Sequence, residues 1–104
     1  MKLVEILDSS DKWCKHVYVT YRFGVIHQRC LIGALQYKLT GDNALVLDSV
    51  DVRNFIDAET LLEEICGASV STFSVLTFND SSSFEEVYAV AAEFDRRWAL
   101  LGHE

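Results

Sequence analysis

The sequence predicts an α+β fold: a largely antiparallel four- to five-stranded sheet with two helices packed on one face, in the order β-β-β-β-α-β-α. Three observations carry this expectation. Apolar and polar residues alternate at period two through much of the first half of the chain, the pattern of strands with one wet face. Turn-forming residues punctuate those runs. Two later segments switch to three- and four-residue apolar steps, the helical period. Strands early and helices late are the mark of α+β.

Each element rests on its own residues. "KLVEIL" is a short strand ended by "DSSDK", a cluster of turn formers. "HVYVTYRFGV" is the clearest strand, with Val17, Val19, Tyr21, Phe23 and Val25 on one face and His16, Tyr18, Thr20 and Arg22 on the other. "LQYKL" repeats the alternation through Leu35, Tyr37 and Leu39. "TGDN" turns the chain, and "ALVLDSVDV" returns as a strand. The apolar parity of that strand slips near Asp48 and Ser49, where a β-bulge is expected.

"FIDAETLLEEICG" reads as a helix opened by Asp57, whose carboxylate suits the N-cap. Ala58, Leu61, Leu62 and Ile65 form its apolar stripe, and Gly67 stops it. "SVSTFSVLTF" reads as a Ser/Thr-rich strand. "SSSFEEVYAVAAEFDRRWALLG" is a long helix, with Ser82 and Glu85 spaced as a capping box. Its stripe is Phe84, Val87, Tyr88, Ala91, Phe94, Trp98 and Leu101, and Gly102 ends it.

The 104 residues suit a single domain spanning 1–104. Half of them are apolar, enough for a core without metal or disulfide staples. Cys14, Cys30 and Cys66 make an odd count with no C-x-x-C spacing, which argues against a disulfide framework. The N-terminal segment meets Asp8 and Asp11 before any long apolar run, unlike a signal peptide. A soluble protein of the reducing cytoplasm is expected, with no membrane partner.

Charge is unevenly spread. Residues 1–41 hold six Lys/Arg and three Asp/Glu, whereas residues 42–64 hold seven acids and Arg53. The formal net charge is −7, which disfavours direct binding of nucleic acid. No Lys or Arg occurs from Asn54 to Ala92. An ordinary wet helix face mixes bases at i+4 with its acids, so the run suggests a surface kept negative for a basic partner.

Chemistry is harder to find. Cys14, His16, His27 and Cys30 are zinc-type ligands. In one extended strand, however, His16 and His27 stand about 36 Å apart, and only a turn near Gly24 brings them together. No metal is expected. No nucleophile elbow or phosphate-binding glycine loop is present, and the Glu pairs at 63–64 and 85–86 diverge on a helix. No catalytic residue and no cofactor are therefore assigned. Tyr18, Arg22 and Lys38 mix bases with aromatics, as single-strand binders do, but the overall charge opposes that role.

The first functional expectation is a small acidic non-enzymatic protein that blocks a basic partner. Immunity proteins and phage-encoded inhibitors of nucleic-acid-handling enzymes are the classes that need such a surface. Its binding residues are expected to be Asp51, Asp57, Glu59, Glu63 and Glu64, with Glu85 and Glu86. The alternative is a homodimeric chaperone-like or adaptor domain that binds a segment of another protein through the strand "SVSTFSVLTF". A small-molecule-binding domain or small enzyme is the third.

Overall fold

The computed structural model describes residues 1–41, 49–67 and 72–103, with backbone alone for 49–52 and 72–74. The class is α+β, but the architecture is not the expected one. Among the described residues five α-helices surround the core: α1 (Leu3–Ile6), α2 (Leu31–Thr40), α3 (Ser49–Ile65), α4 (Thr72–Ser81) and α5 (Phe84–Leu100). Among the described residues the sheet has two strands, β1 (Val19–Arg22) and β2 (Val25–Arg29), paired antiparallel. The expected four- to five-stranded sheet with two helices is overturned.

The helical core explains the difference. Leu3, Ile6 and Leu7 pack with Leu31, Ile32, Ala34 and Leu35 of α2, and with Ala58, Leu61 and Leu62 of α3. Val75 of α4 and Val87, Ala91, Phe94 and Trp98 of α5 complete the cluster. "KLVEIL" is thus the helical turn α1, not a strand. Four residues cannot hold a helix alone. Asp95 of α5 caps it, accepting from the amides of Leu3 (2.9 Å) and Val4 (3.1 Å).

"LQYKL" lies in α2, not in a strand. Its alternation at 35, 37 and 39 is also compatible with a helix buried on several sides, and the whole first turn and beyond, Leu31 to Leu35, is buried. The helix opens on Cys30, whose sulfur accepts from the Gly33 amide at 3.4 Å. It closes on Gly41 at φ 68°, whose N–H donates to the Tyr37 carbonyl. Of "ALVLDSVDV", residues 44–48 lie outside the described residues, as does Asp48 of the expected bulge. The remainder is the first turn of α3, which begins eight residues before Asp57 and leaves that residue mid-helix.

"SVSTFSVLTF" is overturned too: from Thr72 onward it is α4. Its Thr, Val and Phe favour strands only weakly and in context. Here the context is a helix packed against α2 and α3, with Val75 and Asn79 fully buried. The long C-terminal helix matches its expected limits closely. Its capping box sits one residue later than expected: Ser83 Oγ accepts from the Glu86 amide, and the Glu86 carboxylate accepts from the Ser83 amide.

The run "HVYVTYRFGV" is broken at Phe23–Gly24, with φ of 53° and 79°. Positive φ at both central residues is the type I′ signature, whose twist suits a tight hairpin. A register shift between Thr20 and Tyr21 places Tyr21 opposite Ile26 and Thr20 opposite Gln28, which bulges His27. The turn near Gly24 therefore exists, and it returns the chain beside its own start. Trp13 bridges Arg29 in parallel, and the Cys14 amide donates to the Arg29 carbonyl at 3.2 Å.

Candidate functional site

The hairpin is attached to the helices by polar contacts that converge on Asn79 and Asp80 at the end of α4. Asn79 is fully buried. Its Oδ1 accepts from Trp13 Nε1 (2.7 Å) and from the Leu31 amide (3.1 Å). Its Nδ2 donates to the Cys14 carbonyl (3.0 Å) and to Asp80 Oδ1 (3.1 Å). One carboxamide thus uses two donor and two acceptor positions, the full complement of the group. It spans the gap between Cys14 and Leu31 where the two segments part.

Asp80 extends the cluster. The His16 amide donates to its Oδ1 at 2.8 Å, and His16 Nδ1 lies 3.5 Å from Oδ2. The first of these contacts, helped by Asn79, holds the Asp80 carboxyl below the usual carboxylate range. His16 itself takes φ 70°, a left-handed conformation that a side chain rarely adopts. Beside the pair, His16, Val17, Tyr18, Cys30, Leu76 and Asp80 line an open cavity of about 340 Å³. Next to the cavity, α2 packs tightly on the hairpin. A Cβ added at Gly33 would drive into the Tyr18 carbonyl oxygen, so only glycine lets α2 approach the hairpin this closely.

The three thiols are free. Burial, the neighbouring Cys30 and Asp80 push the Cys14 thiol up to about 11. Burial also raises Cys30, against the Gly33 amide that favours its thiolate. His27 is exposed on the bulge of β2. Among the described residues no three His, Cys, Asp or Glu side chains converge as a metal site would require. No described helix is long and apolar enough to cross a membrane.

The acidic residues singled out in the sequence are dispersed by the fold. Asp57 and Glu64 are exposed and seven residues apart on α3, two turns along one face. Thr60 and, one turn before Asp57, Arg53 are exposed on that face, with Ile56, 56% exposed, on its flank; the Thr60 hydroxyl donates to the Ile56 carbonyl. Glu59 is half-buried, and Glu63 is only 5% exposed. Burial first, and Glu59 second, raise the Glu63 pKa. Glu63, expected among the binding residues, is thus turned away from solvent. Asp51 lies in the first turns of α3, with its side chain outside the described residues. Glu85 and Glu86 are exposed in the first turn of α5, where acids suit the helix dipole. Glu86 is committed to the Ser83 cap, which lowers its pKa.

Sequence reasoning missed the Asn79–Asp80 cluster, because "ND" before "SSS" resembles a turn. It also missed the exposed hairpin. Tyr21 is 68% exposed, Phe23 94% and Val25 66%, and the Arg22 guanidinium lies 5.6 Å from the Phe23 ring centre. Gly24 was the available signal for the turn.

No curated protein and no solved structure matches the chain. A family model described as a family of unknown function, DUF6197, matches residues 2–94, and the chain belongs to that family.

Proposed function

We propose that the protein is a non-enzymatic binding protein that meets a basic protein partner through the outer face of α3. Immunity proteins and phage-encoded inhibitors of nucleic-acid-handling enzymes remain the functional classes that need such a face, and the cytoplasm is the compartment that suits three free thiols. One observation carries the reading. Asp57 and Glu64 stand exposed on one stripe, with Ile56 exposed on its flank and Arg53 exposed one turn before Asp57, at the start of a run of the chain without Lys or Arg from 54 to 92. An apolar anchor rimmed by acids has the anatomy of a binding surface, with affinity from the anchor and steering from the charge. Glu85 is the next acid in line. Glu63, being buried, is withdrawn from the contact.

The test uses the wild-type chain and the Asp57→Lys/Glu64→Lys variant as parallel baits, with bound proteins identified by mass spectrometry. A basic partner held by the first and lost by the second is expected. Its association should slow as salt rises, because the Debye length shrinks from about 10 Å at 0.1 M to about 3 Å at 1 M. Asp11→Lys, outside the stripe, is the charge control. A partner that binds the reversed stripe equally well at every salt removes this reading.

A specific observation favours a second reading, an adaptor that binds a segment of another protein. The hairpin presents Tyr21, Phe23 and Val25 to solvent, and residues 12–41 hold five Lys/Arg and no acid. An acidic extended segment is the complement of that surface, since free strand edges accept added strands. Phe23→Ser should abolish such binding and leave the α3 contact intact. Light scattering adds a cheap test, because a homodimer belongs to this second reading.

A further inference from the structure

We propose that Cys14 and Cys30 form a dithiol site that a low-molecular-weight disulfide converts to an intramolecular disulfide across the base of the hairpin. The backbone register puts the two residues side by side. Trp13 pairs with Arg29 in parallel, so Cys14 follows one and Cys30 the other. The Cys14 amide reaches the Arg29 carbonyl at 3.2 Å. At the next rung the Asn79 carboxamide bridges the Cys14 carbonyl and the Leu31 amide. Neighbouring strands lie about 4.8 Å apart at a directly bonded rung such as Cys14–Arg29, and the segments part only beyond it, where the carboxamide is inserted. A disulfide spans Cα atoms roughly 4.4–6.8 Å apart, a need that residues abreast in adjacent hydrogen-bonded segments meet. Residues abreast in a parallel register turn their side chains to the same side, and both cysteines are buried in the same core cluster.

Neither thiol is locked elsewhere. Cys14 Sγ donates to the Val17 carbonyl at 3.5 Å, and Cys30 Sγ accepts from the Gly33 amide at 3.4 Å. Both are weak sulfur contacts. Access comes from the open cavity, because Cys30 forms part of its wall with His16, Tyr18 and Asp80. The Cys30 sulfur stands at the N-terminus of α2, where the Gly33 amide favours the thiolate. Cys30 is thus the attacking thiol and Cys14 the resolving one. Cys66 sits just after α3, in a different part of the fold.

The chemistry balances in two steps. Cys30 gives up its proton to solvent and attacks one sulfur of the small disulfide. That S–S bond breaks, and one small thiolate leaves and takes a proton. Cys14 then loses its proton and attacks the Cys30 sulfur of the mixed disulfide, expelling the second small thiol. The protein dithiol is oxidised by two electrons, and the small disulfide is reduced to two thiols. Because burial suppresses both thiolates, exchange should be slow at neutral pH and quicken as pH rises.

The experiment incubates the whole native chain with oxidised glutathione, blocks remaining thiols with N-ethylmaleimide and digests with trypsin without reductant. Trypsin cuts after Lys12, Lys15, Arg29 and Lys38, so the expected product joins peptide 13–15 to peptide 30–38, with Cys66 carrying maleimide. In Cys14→Ser the glutathione should remain on Cys30. In denaturant, links to Cys66 should also appear, and their absence from the native sample marks the folded site. The proposal is overturned if the native chain keeps glutathione on Cys14 or Cys30 without closing. It is equally overturned if the chain links through Cys66, or if it stays reduced while the unfolded chain reacts. The wild-type peptide map decides the matter even if Cys14→Ser fails to fold.

Discussion

Consider replacing Asn79 by alanine. The side chain is fully buried and makes four hydrogen bonds, to Trp13 Nε1, the Leu31 amide, the Cys14 carbonyl and Asp80. Truncation leaves three buried partners behind: two donors and one acceptor. Each orphaned buried group costs about 1–3 kcal/mol. Asp80, at the cavity edge, can turn to water. The three partners share one site and can relax together, so the three costs do not add in full. The expected loss is about 3–5 kcal/mol, comparable to removing a large core side chain and a large share of the 5–15 kcal/mol that holds an ordinary domain. Urea unfolding followed by far-UV circular dichroism measures it. Asn79→Leu should not rescue stability, because the polar partners remain. Asn79→Asp should fail as well: a carboxylate still accepts from Trp13 and Leu31, but it cannot donate to Cys14 and it repels Asp80. A loss below about 1 kcal/mol for Asn79→Ala would show that this carboxamide is not what ties the hairpin to α4.

Three further outcomes are expected. Trp98 is 3% exposed and stacks on Phe94 at 5.5 Å, so Trp98→Ala should cost about 3–5 kcal/mol in the same unfolding assay. Gly33→Ala, which puts a Cβ against the Tyr18 carbonyl, should cost about 1–3 kcal/mol and loosen the hairpin base, seen as faster amide exchange at Cys30, whose N–H donates to that same carbonyl. Glu63→Gln should raise stability at neutral pH. Burial holds the folded pKa of Glu63 above its unfolded value, so the native state binds the extra proton and stability falls as pH rises from the unfolded value through the folded one. The glutamine variant lacks that slope, and its advantage should vanish below the unfolded carboxylate pKa. A glutamine variant less stable than the parent at neutral pH contradicts the assignment.

The long helix α5 was legible because every local signal agreed. An aromatic and aliphatic stripe at three- and four-residue steps, serines before it and Gly102 after it all point one way. Even there two stripe residues are wet, with Tyr88 39% and Leu101 64% exposed. α2 was illegible for physical reasons. Its N-cap is a cysteine, a poor capping signal, and its first five residues are buried on all sides, so no polar face marks the helical period. α4 was misread because Thr, Val and Phe have strand-like local preferences, and burial against neighbouring helices overrides them. The hairpin turn carries Phe-Gly rather than the Asn-Gly or Asp-Gly that type I′ turns favour.

The candidate site was less legible than the fold because it depends on contacts across the chain. Asn79 joins segments 66, 65 and 48 residues away, and no local pattern encodes such a meeting. The acids were visible as a composition, but only α3's rotation decides which of them face solvent. α3 packs Ala58, Leu61 and Leu62 into the core with Glu63 buried beside them, and leaves Asp57 and Glu64 outside.

The way the hairpin is held bears on how it can work. A two-stranded ribbon is marginal by itself. Its tip adds strain, because Phe23 adopts φ 53°, a region where a bulky side chain is uncommon. Tyr21, Phe23 and Val25 bury little against the molecule, so the ribbon's shape is imposed from its base. That base is polar and directional: Asn79 and Asp80 fix the segment 13–16, Cys30 donates to Tyr18, and Gly33 admits the Tyr18 carbonyl. Directional pins set orientation more sharply than an apolar contact of the same size, which tolerates sliding. An apolar tip held at a set angle on polar pins is preorganised, and preorganisation lowers the entropy lost on binding. Loosening the pins should therefore weaken any contact made by the tip without touching a residue in it, whereas the α3 stripe, fixed by the helical core, should be indifferent to the same change. Asn79→Asp, if enough of it folds to be measured, separates the two surfaces on that basis.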